Sequence, residues 1–126
     1  MASIESRGPR QILQAMRYSA QGLQAAFRYE SSFRLEFYLF VLMAPLALWL
    51  GASAVERALM LGSLLLILVV ELLNGAVEAI VDKTTPEYNE LAGRSKDMGS
   101  AAVFLCMVNA GAVWSLILLP RYAGVN

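Results

Sequence analysis

Four polar side chains occur at helical spacing in one of the most apolar parts of the chain. They are Glu71, Asn74, Glu78 and Asp82, at offsets of 0, 3, 7 and 11 residues. This spacing places them on one face of a helix. Glu71 follows thirteen uncharged residues, 58–70, and a carboxylate at the centre of a bilayer helix costs about 2.5–3.5 kcal/mol. The stripe therefore indicates a cation site or an acid–base site near a membrane surface, the structural alternative being hydrogen bonds that only join helices.

The chemistry that suits these residues is phosphoryl transfer. Two carboxylates on one helical face suit Mg²⁺, which commonly joins carboxylates to substrate phosphates, and Lys96 in the next polar segment supplies a positive charge for a phosphate. Glu71 lies about 10 Å deeper along the helix than Glu78, where a carboxylate suits a general base toward an alcohol. A proton or cation pathway that uses the same carboxylates fits these residues equally well.

The elements that must position these residues are membrane helices. Hydrophobic residues make up 58% of the 126 residues, and they cluster in three blocks that are long enough, or nearly so, to span a bilayer. The blocks cover residues 37–54, 58–81 and 99–120. Between residues 10 and 29, an apolar face and a basic face predict an amphipathic helix on the membrane surface. We therefore predict an all-α integral membrane fold, with residues 1–126 forming a single membrane-embedded domain.

Basic residues are distributed unevenly between the loops. Five arginines precede the first block, and three basic residues separate the second block from the third. Only Arg57 lies between the first two blocks, and only Arg121 follows the third. The positive-inside rule therefore predicts a cytoplasmic N-terminus and an external C-terminus. The balance of ten basic and ten acidic residues is uninformative by itself. We expect no nucleic-acid partner.

Several common functional groups are missing from the sequence. The chain has no histidine, which removes the commonest general base and the usual zinc ligand. Neither GxxxxGK[ST] nor GxGxxG occurs, so a nucleotide must be held by something other than a glycine-rich loop. The single cysteine, Cys106, is interpreted as a small apolar core residue.

Capping residues predict where the helices begin. Ser53 predicts the start of the second span, with Glu56 in its first turn. After the second span, Thr85-Pro86-Glu87 predicts a short helix that ends at Gly93. The third span then opens at Ser95-Lys96-Asp97, where helix N-terminal amides suit a phosphate group.

Two long segments carry a resemblance to a known family. The segments are ELLNGAVEAIVD at 71–82 and EYNELAGRSKDMGSAAV at 87–103. They resemble the small bacterial integral-membrane diacylglycerol kinases, a family that also contains the undecaprenol kinases. The likeness extends over 10–120 and is closer to the Gram-negative diacylglycerol kinases.

The resemblance implies both an activity and an assembly. It implies transfer of the γ-phosphoryl group of MgATP to diacylglycerol, which gives phosphatidic acid and ADP. It also implies a homotrimer in the bacterial inner membrane, with three spans and a surface helix in each chain and active sites shared between neighbouring subunits. Undecaprenol is the alternative acceptor within the family, and a small cation or proton transporter is the alternative outside it.

The resemblance also implies roles for individual residues. By position, Glu71 resembles the general base, and Glu30 and Glu78 resemble the ligands of Mg²⁺. The residues implied near ATP are Tyr18, Glu30, Glu78, Glu87, Tyr88, Asn89, Lys96 and Asp97. Polar support of the site is implied for Asn74 and Asp82. The residues implied to contact the lipid substrate are Ser32, Phe33, Arg34, Leu35, Trp49, Glu71, Ser100 and Trp114.

Overall fold

The computed structural model describes residues 8–124, so both ends of the predicted domain lie outside the described residues. Within this range the chain forms four helices and no strand. The helices are α1 (Pro9–Tyr29), α2 (Ser31–Leu50), α3 (Ala54–Thr84) and α4 (Glu90–Tyr122). Since α2, α3 and α4 are long and apolar enough to cross a membrane, the predicted all-helical fold with three candidate spans is confirmed.

Helix α1 covers the predicted surface helix. It begins at Pro9. Proline is favoured at the first position of a helix, because the N–H that it lacks would have no partner there. Its apolar side chains remain largely exposed, with Ile12 at 54%, Met16 at 64% and Leu23 at 50%. These side chains are available to lipid or to another chain, and the position of α1 on the membrane surface stays a prediction.

A single extended residue, Glu30, separates α1 from α2. Its backbone angles of φ −109° and ψ 104° end one helix and begin the next. The corner is anchored by Phe33, which is 3% exposed and packs with Ala26 of α1 and Leu68 of α3. The side chain of Glu30 is therefore held near α3 by the packing of the helices on either side of it.

The α2–α3 connection is short. Helix α2 ends at Leu50, before the end of the predicted block at residue 54. The predicted cap of α3 is confirmed, since the Ser53 hydroxyl accepts a hydrogen bond from the Glu56 N–H at 3.1 Å. The two helices therefore form a tight antiparallel hairpin.

Two arginines close the C-terminal end of α2. The Arg57 side chain donates to the carbonyl of Leu48 at 3.0 Å. Arg121, near the end of α4, donates to the carbonyl of Leu50 at 2.6 Å and pairs with Glu56 at 2.5 Å. Carbonyls at a helix end have no partner within the helix, so these contacts satisfy them and tie the ends of three helices together.

Helix α3 packs along α4 through small and branched side chains. Ile67 forms a buried cluster with Cys106 and Ala110, which places the single cysteine in the core as predicted. Farther along, the Trp114 indole donates to the carbonyl of Met60 at 3.2 Å. This packing fixes the register between the polar stripe of α3 and the first turns of α4.

The predicted short helix that ends at Gly93 is wrong. Helix α4 is capped by Asn89, whose side-chain oxygen accepts from the N–H groups of Leu91 and Ala92. The helix then continues through Gly93 without interruption. The ring of Tyr88 lies 3.3 Å from the position that a Cβ on Gly93 would occupy, so this glycine provides space for an aromatic ring rather than a helix end.

Candidate active site

The polar stripe of α3 runs from the interior of the protein to its surface. Glu71 and Asn74 are buried, at 7% and 8% exposed. Glu78 is half-buried, and Asp82 is exposed. The four residues thus form a graded series, with the candidate base at the buried end and charges accessible to solvent at the other.

Glu30 joins this stripe from the α1–α2 corner. Its carboxyl carbon lies 3.2 Å from the position that a Cβ on Gly75 would take. Gly75 immediately follows Asn74 and precedes Glu78 by less than one turn. The structure therefore brings Glu30 against the part of α3 that carries Glu78, so the two predicted metal ligands approach each other within one chain.

Glu36 was missed as a site residue by sequence reasoning. The carboxylates of Glu36, Glu78 and Glu30 are near enough to the buried Glu71 to repel its negative charge. Glu36 also lines a cavity between α2, α3 and α4. The sequence gives no sign of this role, because nothing in the spacing of the residues relates α2 to α3.

Asn74 connects the buried and exposed parts of the stripe. Its side-chain amide donates to Glu78 Oε1 at 3.3 Å. Its Oδ1 is buried and has no hydrogen-bond partner within residues 8–124. A buried acceptor without a donor is unusual in a folded protein. The position of the Asn74 oxygen must therefore be set by the packing around it and not by a hydrogen bond.

The oxygen atoms on this part of α3 fit a Mg²⁺ ion. Glu30 and Glu78 bring two carboxylates to this part of α3, and carboxylate oxygens are ligands that Mg²⁺ prefers. No group of three or more His, Cys, Asp or Glu side chains is arranged to hold a metal among the described residues. The two carboxylates would thus share the ion with water and substrate phosphates, as is usual for Mg²⁺.

Lys96 lies at the exposed end of the stripe. Its ammonium group pairs with Asp82 at 2.9 Å, and the side chains are 41% and 64% exposed. An exposed pair contributes little to stability, but it orients the ammonium group over the adjoining cavity. A phosphate group can still reach Lys96 from solvent.

The cavity beside this pair is lined by the end of α3, the following loop and the start of α4. It has a volume of about 410 Å³. It brings together five of the residues predicted near ATP, Glu87, Tyr88, Asn89, Lys96 and Asp97. Tyr18 lies on α1 and is 65% exposed, and it is not among the residues that line this cavity.

The prediction that residues 95–97 form a helix N-terminus with free amides for a phosphate group is wrong. Residues 95–97 lie in the second turn of α4, which begins at Glu90. Amides beyond the first turn of a helix bond to carbonyls of the preceding turn. At the true start of α4, the side chain of Asn89 already accepts from the free amides of Leu91 and Ala92.

The residues predicted to contact lipid at the α1–α2 corner divide into two groups. Ser32, Leu35 and Ser100 are exposed. Phe33 is buried in the core, and the Arg34 guanidinium donates to two carbonyls in the last turn of α1, at 2.9 Å each. Phe33 and Arg34 thus have structural contacts within the chain.

The two tryptophans predicted to contact lipid lie far from Glu71. Trp49 adjoins the end of α2 that Arg57 closes, and Arg57 precedes Glu71 by about 20 Å of helix. Trp114 bonds to Met60, about 16 Å from Glu71 along the helix axis. The structure therefore does not place either tryptophan beside the buried carboxylate, although Trp114 lines the same cavity as Glu36.

Comparisons with known proteins agree on one family. Residues 17–118 match the family model described as prokaryotic diacylglycerol kinase. A diacylglycerol kinase of Haemophilus influenzae is 43% identical over 114 residues, covering 90% of this chain and 97% of the relative. Diacylglycerol kinases of Escherichia coli and Pseudomonas aeruginosa are 43% and 46% identical, over 88% and 89% of this chain and 91% of each relative.

Proposed function

Because the chain belongs to the prokaryotic diacylglycerol kinase family, we propose that it transfers the γ-phosphoryl group of ATP to the free hydroxyl of diacylglycerol. The products are phosphatidic acid and ADP. The observation that carries this proposal is the approach of Glu30 to Gly75, which sets a second carboxylate beside Glu78 and next to the buried Glu71. This arrangement places carboxylates that can bind the Mg²⁺ of MgATP next to a general base that a membrane lipid can reach.

Glu71 is the proposed general base. It accepts the proton of the lipid hydroxyl as that oxygen attacks the γ-phosphorus, and the bond from phosphorus to the β–γ bridging oxygen breaks to release ADP. Its burial at 7% exposure supports this role, since a base shielded from solvent favours a lipid acceptor over water. The absence of histidine from the sequence leaves the carboxylates as the main candidates for this step.

Glu30 and Glu78 are the proposed ligands of Mg²⁺. When bound, the ion supplies positive charge to the phosphate oxygens. Asn74 holds one oxygen of Glu78 through its amide, so it orients this ligand. Lys96 adds a second positive charge near the phosphates, and Asp82 orients it.

A groove between α1 and α3 is the proposed path of the lipid. It has a volume of about 780 Å³ and contains Glu30 in its lining. Small residues on both helices leave this space open, namely Gly22, Ala25, Ala26, Gly75, Ala76 and Ala79. A diacylglycerol in this groove could bring its hydroxyl toward the carboxylates while its acyl chains stay in the membrane.

The assembly and orientation of the chain are part of the proposal. We infer a homotrimer, with the N-terminus in the cytoplasm and the C-terminus outside, from the family and from the distribution of basic residues. The contact of Glu30 with Gly75 lies within one chain. A neighbouring subunit would therefore contribute to the shared site through residues other than this pair of ligands.

The test is a comparison of acceptors with the purified protein in mixed micelles. Labelled ATP, Mg²⁺ and equal concentrations of diacylglycerol, undecaprenol or a soluble alcohol are supplied, and the products are identified. We expect labelled phosphatidic acid and no phosphorylation of the soluble alcohol. A preference of about tenfold in kcat/KM for undecaprenol, about 1.4 kcal/mol, would overturn the choice of acceptor, and cation flux without any phosphorylated lipid would overturn the kinase itself.

A further inference from the structure

Helices α3 and α4 approach each other very closely at Asn74 and Gly99. A Cβ on Gly99 would overlap Oδ1 of Asn74 and would lie 3.2 Å from its Cγ. Any side chain at this position must therefore displace the Asn74 amide or separate the two helices. The absence of a side chain at residue 99 is what allows the observed position of Asn74.

The backbone does not explain this glycine. Among residues 8–124, Gly124 has the positive φ, and Gly99 lies within the regular part of α4. A glycine inside a helix weakens it relative to alanine. Its value at this position must therefore come from the space that it leaves for Asn74.

The orientation of the Asn74 amide depends on that space. Its nitrogen donates to Glu78 Oε1 at 3.3 Å, whereas its oxygen has no hydrogen-bond partner within the described residues. The reverse orientation would place the amide oxygen against the Glu78 carboxylate, which is repulsive. Because no hydrogen bond holds the oxygen, its packing against Gly99 keeps the amide in place.

We propose that Gly99 is a positioning residue of the phosphoryl-transfer site. Its hydrogen atom in place of a side chain lets the Asn74 amide lie against α4 and hold Glu78 in the orientation that binds the metal ion. The inference rests on the proposed function of Glu78 as a metal ligand. Gly99 itself touches neither the substrate nor the metal.

The chain offers a matched control for this proposal. Gly111 lies on the same helix, and a Cβ there would meet no atom within 4 Å. Gly99→Ala and Gly111→Ala therefore make the same chemical change and the same gain in helix propensity. They differ in whether the new methyl group meets Asn74.

The experiment measures metal binding and activity separately. Binding of Mn²⁺, in the presence of a non-hydrolysable ATP analogue, is titrated by electron paramagnetic resonance for the wild type and both variants. Activity is measured against Mg²⁺ concentration at fixed ATP and diacylglycerol, and the KM for diacylglycerol is measured separately at saturating MgATP. For Gly99→Ala we expect metal affinity to fall by about 10–100-fold, with the KM for diacylglycerol within about twofold of the wild type. For Gly111→Ala we expect both quantities to stay within about twofold of the wild type.

A double variant separates positioning from general damage to the helix pair. In Asn74→Ala the amide is absent, so adding Gly99→Ala should cause no further loss of Mn²⁺ affinity. If Gly99→Ala alone does not fold, Asn74→Ala/Gly99→Ala should fold and bind Mn²⁺ as Asn74→Ala does. A further loss in the double variant, or failure of that variant to fold, overturns the proposal.

The outcomes also distinguish this inference from the proposed function. If the wild type phosphorylates diacylglycerol and Gly99→Ala binds Mn²⁺ as the wild type does, positioning by Gly99 is wrong and the kinase assignment stands. Equal losses in Gly99→Ala and Gly111→Ala would likewise overturn positioning. If the wild type phosphorylates no lipid but Gly99→Ala alone loses Mn²⁺ affinity, the positioning of Glu78 is supported and the assigned reaction is wrong.

Discussion

The carboxyl carbon of Glu30 lies over Gly75, 3.2 Å from where a Cβ on that glycine would be. Glu30 belongs to the corner between the first two helices, and Gly75 lies on the third. A carboxylate that is distant in sequence thus reaches the polar stripe because α3 has no side chain at that point. Under the proposed function, this contact makes Glu30 the second carboxylate at the metal ion that Glu78 binds.

Enlarging residue 75 should displace Glu30 in proportion to the size of the new side chain. A Cβ at 3.2–3.3 Å from Glu30 requires only a small shift, so Gly75→Ala should lower kcat by no more than about threefold. Gly75→Leu fills the space of the carboxylate and should lower kcat by about a hundredfold or more. Gly62→Leu, on the same helix with no atom within 4 Å of the new Cβ, is the control, and an equal loss in both leucine variants would contradict the role of this contact.

Mixing inactive chains should not restore activity when the two changes affect the same pair of ligands. Glu30→Gln and Glu78→Gln should each weaken Mg²⁺-dependent nucleotide binding. Because Glu30 contacts α3 of its own chain, every site in a mixed oligomer would still lack one carboxylate. Lipid phosphorylation by verified mixed oligomers measures this directly.

Mixed oligomers of wild type and Glu30→Gln/Glu78→Gln are the control for that experiment. Their activity should follow the fraction of wild-type chains. Clear recovery in the mixture of single variants would mean that Glu30 reaches Glu78 of a neighbouring subunit in the assembled protein.

Replacement of Glu71 should remove catalysis but leave nucleotide binding. Glu71→Gln keeps the size and hydrogen-bonding capacity of the buried side chain and loses only its ability to accept a proton. We expect kcat to fall by about 10²–10⁴-fold, the usual contribution of a general base, with MgATP affinity largely unchanged. A wild-type kcat for this variant at neutral pH would exclude Glu71 as the base.

Arg34 should stabilise the corner between α1 and α2. Arg34→Ala removes two hydrogen bonds to carbonyls of the last turn of α1 and should destabilise that turn by about 1 kcal/mol. Hydrogen exchange of the Glu30 N–H, which bonds to Ala26 at 2.9 Å, should become faster. Arg17→Ala, at an exposed position on α1, is the control, and a raised KM for diacylglycerol with unchanged exchange would indicate direct lipid contact by Arg34 instead.

The orientation in the membrane can be tested with single cysteine labels. Tyr122→Cys should react with an impermeant reagent from outside sealed vesicles of known orientation, whereas Lys83→Cys should react only after the vesicles are opened. Cys106 is buried, so the unsubstituted protein gives the background. Equal labelling of both positions, or the reverse pattern, would overturn the predicted topology.

The helical architecture could be predicted because hydropathy and length alone determine which segments can cross a bilayer. The connection between α3 and α4 could not. Thr85 and Asn89 are both good capping residues, and nothing local indicates that Asn89 begins the helix. The sequence pattern predicts a helix end at Gly93. The contact that explains this glycine is with the ring of Tyr88, and it forms only when the loop folds back against α4.

The candidate site was predictable where its residues share one helix. The spacing of Glu71, Asn74 and Glu78 places them on one face, and their graded burial agrees with that prediction. Glu30 was placed near them only by family resemblance, because spacing carries no information about contacts between helices. Gly99 gave no signal at all, since a glycine in a helix does not reveal which side chain lies against it.

The arginines that close the end of α2 have a mechanical consequence. Arg57 and Arg121 tie three helices together at one end, and Asp82 lies about 38 Å farther along α3. With that end fixed, a rotation of α3 by about 5° would move Asp82 by on the order of 3 Å, comparable to the 2.9 Å that separates it from Lys96. Small changes in the angle of α3 would therefore cause the largest displacements at the Asp82 end of the helix, where the phosphates of ATP would bind.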